Sequence, residues 1–170
     1  VHGLTRNSRD FDWLAASLMQ AGDRRIVCPD IIGRGESDYL SPVSMHAYGY
    51  PQYISDSTAL LAHLNAEDVD WIGTSMGGLI GMFLAAYPHT PIRSLVLNDV
   101  GPFIPKAAIE KLQSYVGNDV MFPTLLAVEE YLRHIHAPFG VLTDEQWHHM
   151  ALHTARKMPT GYTLAYDPNI

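Results

Sequence analysis

A single cysteine, Cys28, stands among 170 residues, so no disulfide can form within the chain. Small secreted domains staple themselves with paired cysteines. A chain of this size without them relies on its apolar core, and a reducing, cytoplasmic compartment suits it. Charge is scarce as well, at 17% against the roughly 25% of an average globular protein. With 47% hydrophobic residues beside it, that composition excludes intrinsic disorder, which needs the opposite balance. Cations are scarcest of all: 11 Lys and Arg face 18 Asp and Glu, a net charge of −7. Residues 1–105 carry six basic and eleven acidic side chains and residues 106–170 five and seven, so neither part is basic. Nucleic acid and anionic membrane surfaces, which reward clustered cations, are therefore excluded as main partners. No apolar run approaches the roughly 20 residues that span a bilayer, and no basic-then-apolar leader opens the chain. Internal repeats and low-complexity tracts are missing too. The opening residue is not Met: Val1-His2-Gly3 reads as the end of a strand, as expected of a piece of a longer protein.

What is present up to about residue 105 is an alternation of short β-rich runs with helical patterns, the signature of crossover units on a parallel sheet. Phe11, Leu14, Ala15 and Leu18 recur at helical spacing, with Asn7 or Ser8 as the cap. Arg25–Cys28 reads as a strand, and Gly33-Arg34-Gly35 as a loop. Pro51 suits the first turn of a helix with an apolar face of Tyr53, Ile54, Leu60, Leu61 and Leu64. Val69–Ile72 and Ser94–Asn98 read as further strands, with an apolar helix, Leu79–Tyr87, between them and Pro88 as its stop. After Pro105 strands vanish. Ala108–Val116 and Leu125–His134 are helical patterns broken by prolines, so residues 106–170 are expected to form a helical cap or lid beside a core of residues 1–105.

Gly73-Thr74-Ser75-Met76-Gly77 fits G-x-S-x-G, the sharp turn that lifts a serine hydroxyl above a sheet. Five letters with two free positions match often by accident. An apolar strand before the pentapeptide and a glycine-lined apolar helix after it supply the context the chemistry requires. Ser75 is then the nucleophile, and Gly73 and Gly77 are the elbow glycines that let helix and strand approach. Upstream, His2-Gly3-Leu4 offers a second piece. An oxyanion is held by the N–H of the residue after the nucleophile and by one from an upstream loop. Met76 and Leu4 occupy those positions, with His2 structural.

Taken together, His2-Gly3, the loop Asp30-Ile31-Ile32-Gly33-Arg34-Gly35-Glu36-Ser37, the elbow at Ser75, and Leu97-Asn98-Asp99-Val100-Gly101-Pro102 make the chain resemble the α/β-hydrolase family, in its serine esterase and thioesterase-like branch. The resemblance covers residues 1–105 well and implies an α/β fold: a mostly parallel sheet, partial here, with a helical cap insertion. It also implies a Ser, acid and His triad in that order, with the family's opening strands before Val1 and its catalytic histidine after Ile170. Asp99 ends the strand after the elbow helix. It is either the triad acid or a residue that braces the Gly101-Pro102 turn.

The nine histidines offer no evident base. His46, His63 and His89 read as surface, and His134, His136, His148, His149 and His153 lie in the cap segment. His149 and His153, at i and i+4, could hold a metal. The helical zinc pattern places Glu after its first histidine, where Met150 stands, so surface is the better reading and no metal is expected. Gly33-Arg34-Gly35 lacks the remainder of a phosphate-loop pattern, and no cofactor is expected. The expected activity is hydrolysis of a small-molecule carboxylic ester or thioester through an acyl-enzyme on Ser75, without nucleic acid or membrane as partner. Phe103, Phe122, Phe139 and Trp147 are expected to line an acyl pocket. C–C hydrolysis, lyase or acyltransferase chemistry is compatible with the same parts, and a non-catalytic scaffold is the rival from another class.

Overall fold

Val69–Thr74 (β1) and Ile92–Asn98 (β2) pair in parallel, from Asp70 opposite Ser94 to Thr74 opposite Asn98. Parallel neighbours need a crossover, and Met76–Ala85 (α3) supplies it. The computed structural model, which describes residues Val1–Ile170, places Val1 on the other flank of β1. There Thr74 N–H donates to Val1 O at 3.0 Å. Gly73 and Gly77 make this packing possible. A Cβ on Gly73 would overlap the Gly77 carbonyl, and one on Gly77 would overlap the Val1 carbonyl. Trp71, Met76, Ile80 and Leu84 then close into an apolar cluster with Ile31 and with Tyr53 of Tyr50–His63 (α2).

Two readings of the first hundred residues are corrected. Asn7 caps a 3-10 turn, Ser8–Phe11, through its side-chain oxygen, and the α-helix (α1, Asp12–Gln20) starts after it. Of the expected apolar stripe, Phe11, Ala15 and Leu18 are half-buried and Leu14 is exposed. Arg25–Cys28 joins no ladder among residues 1–170. Composition favours a strand there, but a strand needs a neighbour to hydrogen-bond.

Residues 106–170 hold three helices, Lys106–Gln113 (α4), Leu125–Ile135 (α5) and Asp144–Thr154 (α6). Thr124 caps α5 by accepting from Ala127 N–H, and Thr143 with Gln146 forms a capping box on α6. Such caps are worth about 1 kcal/mol each. Val128 and Leu132 on α5 meet Trp147 and Ala151 on α6, each pair one helical turn apart, in a second apolar cluster with Leu164 and Tyr166. The expected absence of strands is overturned by an antiparallel hairpin, Ala155–Met158 (β3) and Gly161–Leu164 (β4). Its strands are only four residues long and poor in β-branched side chains, so they carry no alternation to read. Pro159-Thr160 forms its turn, and Phe122 pairs with Tyr162 on the outer side. No helix of the protein is long and apolar enough to cross a membrane.

Candidate active site

Ser75 lies at the junction of β1 and α3 with φ 49° and ψ −113°. A side chain pays roughly 1–3 kcal/mol to sit in such a sparsely populated region, and residues held this way cluster at functional sites. Four non-glycine residues of the chain have positive φ, and two of them, Ser75 and Asp99 (φ 54°), directly follow register partners Thr74 and Asn98. Both therefore emerge at the same edge of the parallel pair. Ser75 N–H donates to Asn98 O at 2.9 Å, and Asn98 Nδ2 donates to Thr74 Oγ1 at 3.3 Å, which ties the two strand ends together.

Gly3 stands beside the elbow: a Cβ on it would lie 3.7 Å from Ser75 Cβ. Leu4 follows. Neither Leu4 N–H nor Met76 N–H is spent on a hydrogen bond within the chain. For Met76 this follows from helix geometry, since the first N–H groups of a helix have no partner inside it.

His2 is fully buried and locked by two bonds. Its Nε2 accepts from Ile31 N–H at 3.0 Å, so Nδ1 carries the proton and donates to Gly3 O at 2.8 Å. Burial pulls its pKa down to about 4. The ring joins the Gly3 loop to the Asp30 loop as a neutral brace, in keeping with its structural reading.

Arg34 is the residue that sequence reading passed over. Its side chain is completely buried, yet none of its partners is a carboxylate. Nε donates to Leu4 O at 2.9 Å, Nη1 to Ile32 O at 2.8 Å and Tyr53 Oη at 2.9 Å, and Nη2 lies 3.7 Å from Met76 Sδ. One guanidinium thus touches both residues whose N–H groups flank Ser75. The signal was present in Gly33-Arg34-Gly35, a cation between two glycines. Asp30 holds the same loop by accepting from Ser8 and Glu36 N–H at 2.6 and 2.9 Å.

Asp99 shares the sheet edge with Ser75, whereas the histidines and the four aromatic residues are not gathered there. Asp99 is exposed, and the bracing hydrogen bond to the Gly101-Pro102 turn is not formed. Ser75 Oγ is hydrogen-bonded to none of the nine histidines. His46, His63, His89 and His134 are exposed. His148 faces Glu129 at 3.3 Å, and His136 is buried beside Arg6, with its pKa lowered to about 4 chiefly by burial. The four aromatic residues expected to line one acyl pocket are dispersed. Trp147 is buried under Arg133, Phe122 packs on Tyr131, and Phe103 and Phe139 are 79% and 54% exposed. A narrow crevice beside the Leu4 loop is lined instead by Thr5, Arg6, Tyr115, Tyr131, His136 and Tyr166.

Known proteins are similar to the chain in sequence and in fold. A 3-hydroxybutyrate-oligomer hydrolase from Cupriavidus necator is 48% identical over the whole chain, which spans 58% of that relative's length. An sn-1-specific diacylglycerol lipase from Danio rerio is 33% identical over 63% of the chain and 32% of the relative. Among solved structures, an alpha/beta hydrolase from Novosphingobium aromaticivorans superposes with a TM-score of 0.87 at 38% identity, covering 100% of this chain and 59% of that one. A protein from Rickettsia typhi gives 0.91 at 34%, with 99% and 59% covered. The sequence profile of the alpha/beta hydrolase fold matches residues 1–122, and the chain belongs to that family.

Proposed function

We propose that the protein is a serine hydrolase that cleaves carboxylic esters, and that its substrates are short oligoesters of a hydroxy acid. The observation that carries the chemistry is the strained Ser75 at the end of β1, beside two unspent N–H groups. The substrate class rests on the 48% identical relative named for 3-hydroxybutyrate oligomers. Ser75 Oγ attacks the ester carbonyl carbon and passes its proton to a histidine base, and the carbonyl electrons move onto oxygen. Leu4 and Met76 N–H receive that oxyanion. Collapse expels the alcohol, which takes the proton from the histidine, and water repeats the sequence on the acyl-enzyme. The base comes from the part of the longer relatives that this chain does not span. Asp99 orients it, and residues 106–170 cover the site as a cap. Arg34 is a positioning residue: it fixes the Leu4 carbonyl, in the peptide that follows the one carrying the Leu4 N–H.

The test is hydrolysis of 3-hydroxybutyrate dimers and trimers and of short p-nitrophenyl esters by the full-length protein. Ser75→Ala is expected to cost about 10⁴-fold or more in turnover on both. Near-native turnover in Ser75→Ala overturns the mechanism. Turnover of simple esters with none of the oligomers overturns only the substrate class.

A further inference from the structure

His149 and His153 stand one turn apart on α6, and α6 packs against the first turns of the chain. One donor atom from each of Asp12, His149 and His153 lies within 4.8 Å of the other two. His149 Nε2 is 3.3 Å from Asp12 Oδ2 and 3.1 Å from the Arg9 carbonyl oxygen. Zinc holds such donors at about 2.0–2.2 Å, which sets neighbouring corners of its tetrahedron about 3.3 Å apart. The surroundings fix the ligands in place. Trp13 packs on the His149 ring at 4.3 Å, the two imidazoles meet edge-on at 4.4 Å, and Asn7 Nδ2 donates to His153 O at 2.8 Å.

We propose that Asp12, His149 and His153 form a binding site for a divalent transition-metal ion of the zinc class, which clamps α6 to α1. Two imidazoles and a carboxylate are a donor set for such ions, whereas magnesium and calcium favour oxygen alone. A fourth position is left for water. The glutamate missing after His149 does not count against binding. In the helical zinc pattern that residue is the general base, so its absence removes a reaction and leaves the ligands. Two local adjustments accompany the ion. His149 gives up the Nε2 proton that Arg9 O now accepts and carries it on Nδ1. The Arg9 guanidinium, 2.7 Å from Asp12 Oδ2, swings away. Half-exposed at 52%, it leaves at little cost, because water screens a surface ion pair. His153 borders a polar cleft of about 430 Å³ whose walls carry both signs, Asp30 and Glu36 with Arg156 and Lys157, and through it the ion enters. The ligands come from opposite ends of the chain, so the ion binds the folded state and stabilises it.

Titrating zinc chloride into the full-length protein in a non-chelating buffer is the experiment, with calorimetry, thermal melting and circular dichroism as readouts. One site with a Kd below about 10 μM is expected, with a rise in Tm on binding. Asp12→Asn and His153→Ala are each expected to weaken the site by about tenfold or more. Arg9→Ala removes the competing cation and is expected to tighten it. No site tighter than about 100 μM, or a site retained in both ligand variants, overturns the proposal. Should His153→Ala misfold by circular dichroism, the near-isosteric Asp12→Asn decides alone.

Discussion

The stretch around the elbow and the stretch from Lys106 onward are held together by different means. Near Ser75 the determinants are backbone ones: two glycines where any Cβ would collide, a serine and an aspartate at positive φ, and N–H groups with no partner. From Lys106 onward they are side-chain ones: an interleaved Val128, Leu132, Trp147 and Ala151 cluster, and Glu129 bonded to Arg133 and facing His148. The two stretches meet through polar bonds. Arg6 Nη1 donates to Thr154 Oγ1 at 2.9 Å, Arg156 Nη2 to Gly35 O at 2.9 Å, and Tyr48 Oη to Asp167 Oδ2 at 2.7 Å. Each apolar cluster therefore closes on itself, and the boundary between them is specified by hydrogen bonds, whose geometry is stricter than apolar contact. Chemistry that needs fixed atoms belongs where the backbone is over-determined, and adaptable packing belongs where it is not.

The largest expected effect that sharpens this contrast after Ser75→Ala is at Asp99. Asp99→Asn should lose on the order of 10⁴ in turnover while the circular dichroism spectrum and Tm stay unchanged, because an amide orients the wrong histidine tautomer. A loss below about tenfold moves the acid to a later carboxylate.

Side-chain packing is tested by Trp147→Ala, which should cost about 3–5 kcal/mol in urea unfolding, whereas Phe103→Ala and Phe139→Ala, both exposed, should stay within about 0.5 kcal/mol. Equal costs at all three positions would erase the distinction between buried and exposed aromatics in this stretch.

Acid should act on both regions at once. His2 in one and His136 in the other are held near pKa 4, each mainly by burial, while the unfolded chain titrates near 6.5. Between those values the unfolded state binds more protons, so stability falls as pH drops from about 6.5 toward 4 and levels off below it. Thermal melts across that window should trace this slope, and His136→Gln should flatten it.

The smallest effect separates position from packing. Arg34→Lys keeps the charge but cannot make the three oxygen contacts of the guanidinium fork. Turnover should fall by about 10- to 100-fold, with KM little changed and a pH profile like the parent's. A change in Tm alone, with turnover intact, would make Arg34 a packing residue.

Periodicity and turn chemistry alone determined the β1, α3 and β2 crossover, the position of Ser75 and the helices α4 and α5. Those signals are local: glycine spacing, a proline stop, apolar residues one turn apart. Whether Arg25–Cys28 became a strand was decided by tertiary structure, since a ladder depends on what lies beside it. So was the hairpin after Thr154, whose strands gain their definition from Phe122 and from each other. The same holds for the dispersal of Phe103, Phe122, Phe139 and Trp147, and for the meeting of Asp12 with His149 and His153. Arg34 is the clearest instance. Its residue type suggests surface, and only the folded chain surrounds it with the Leu4 and Ile32 carbonyls and the Tyr53 hydroxyl that make burial of a guanidinium tolerable.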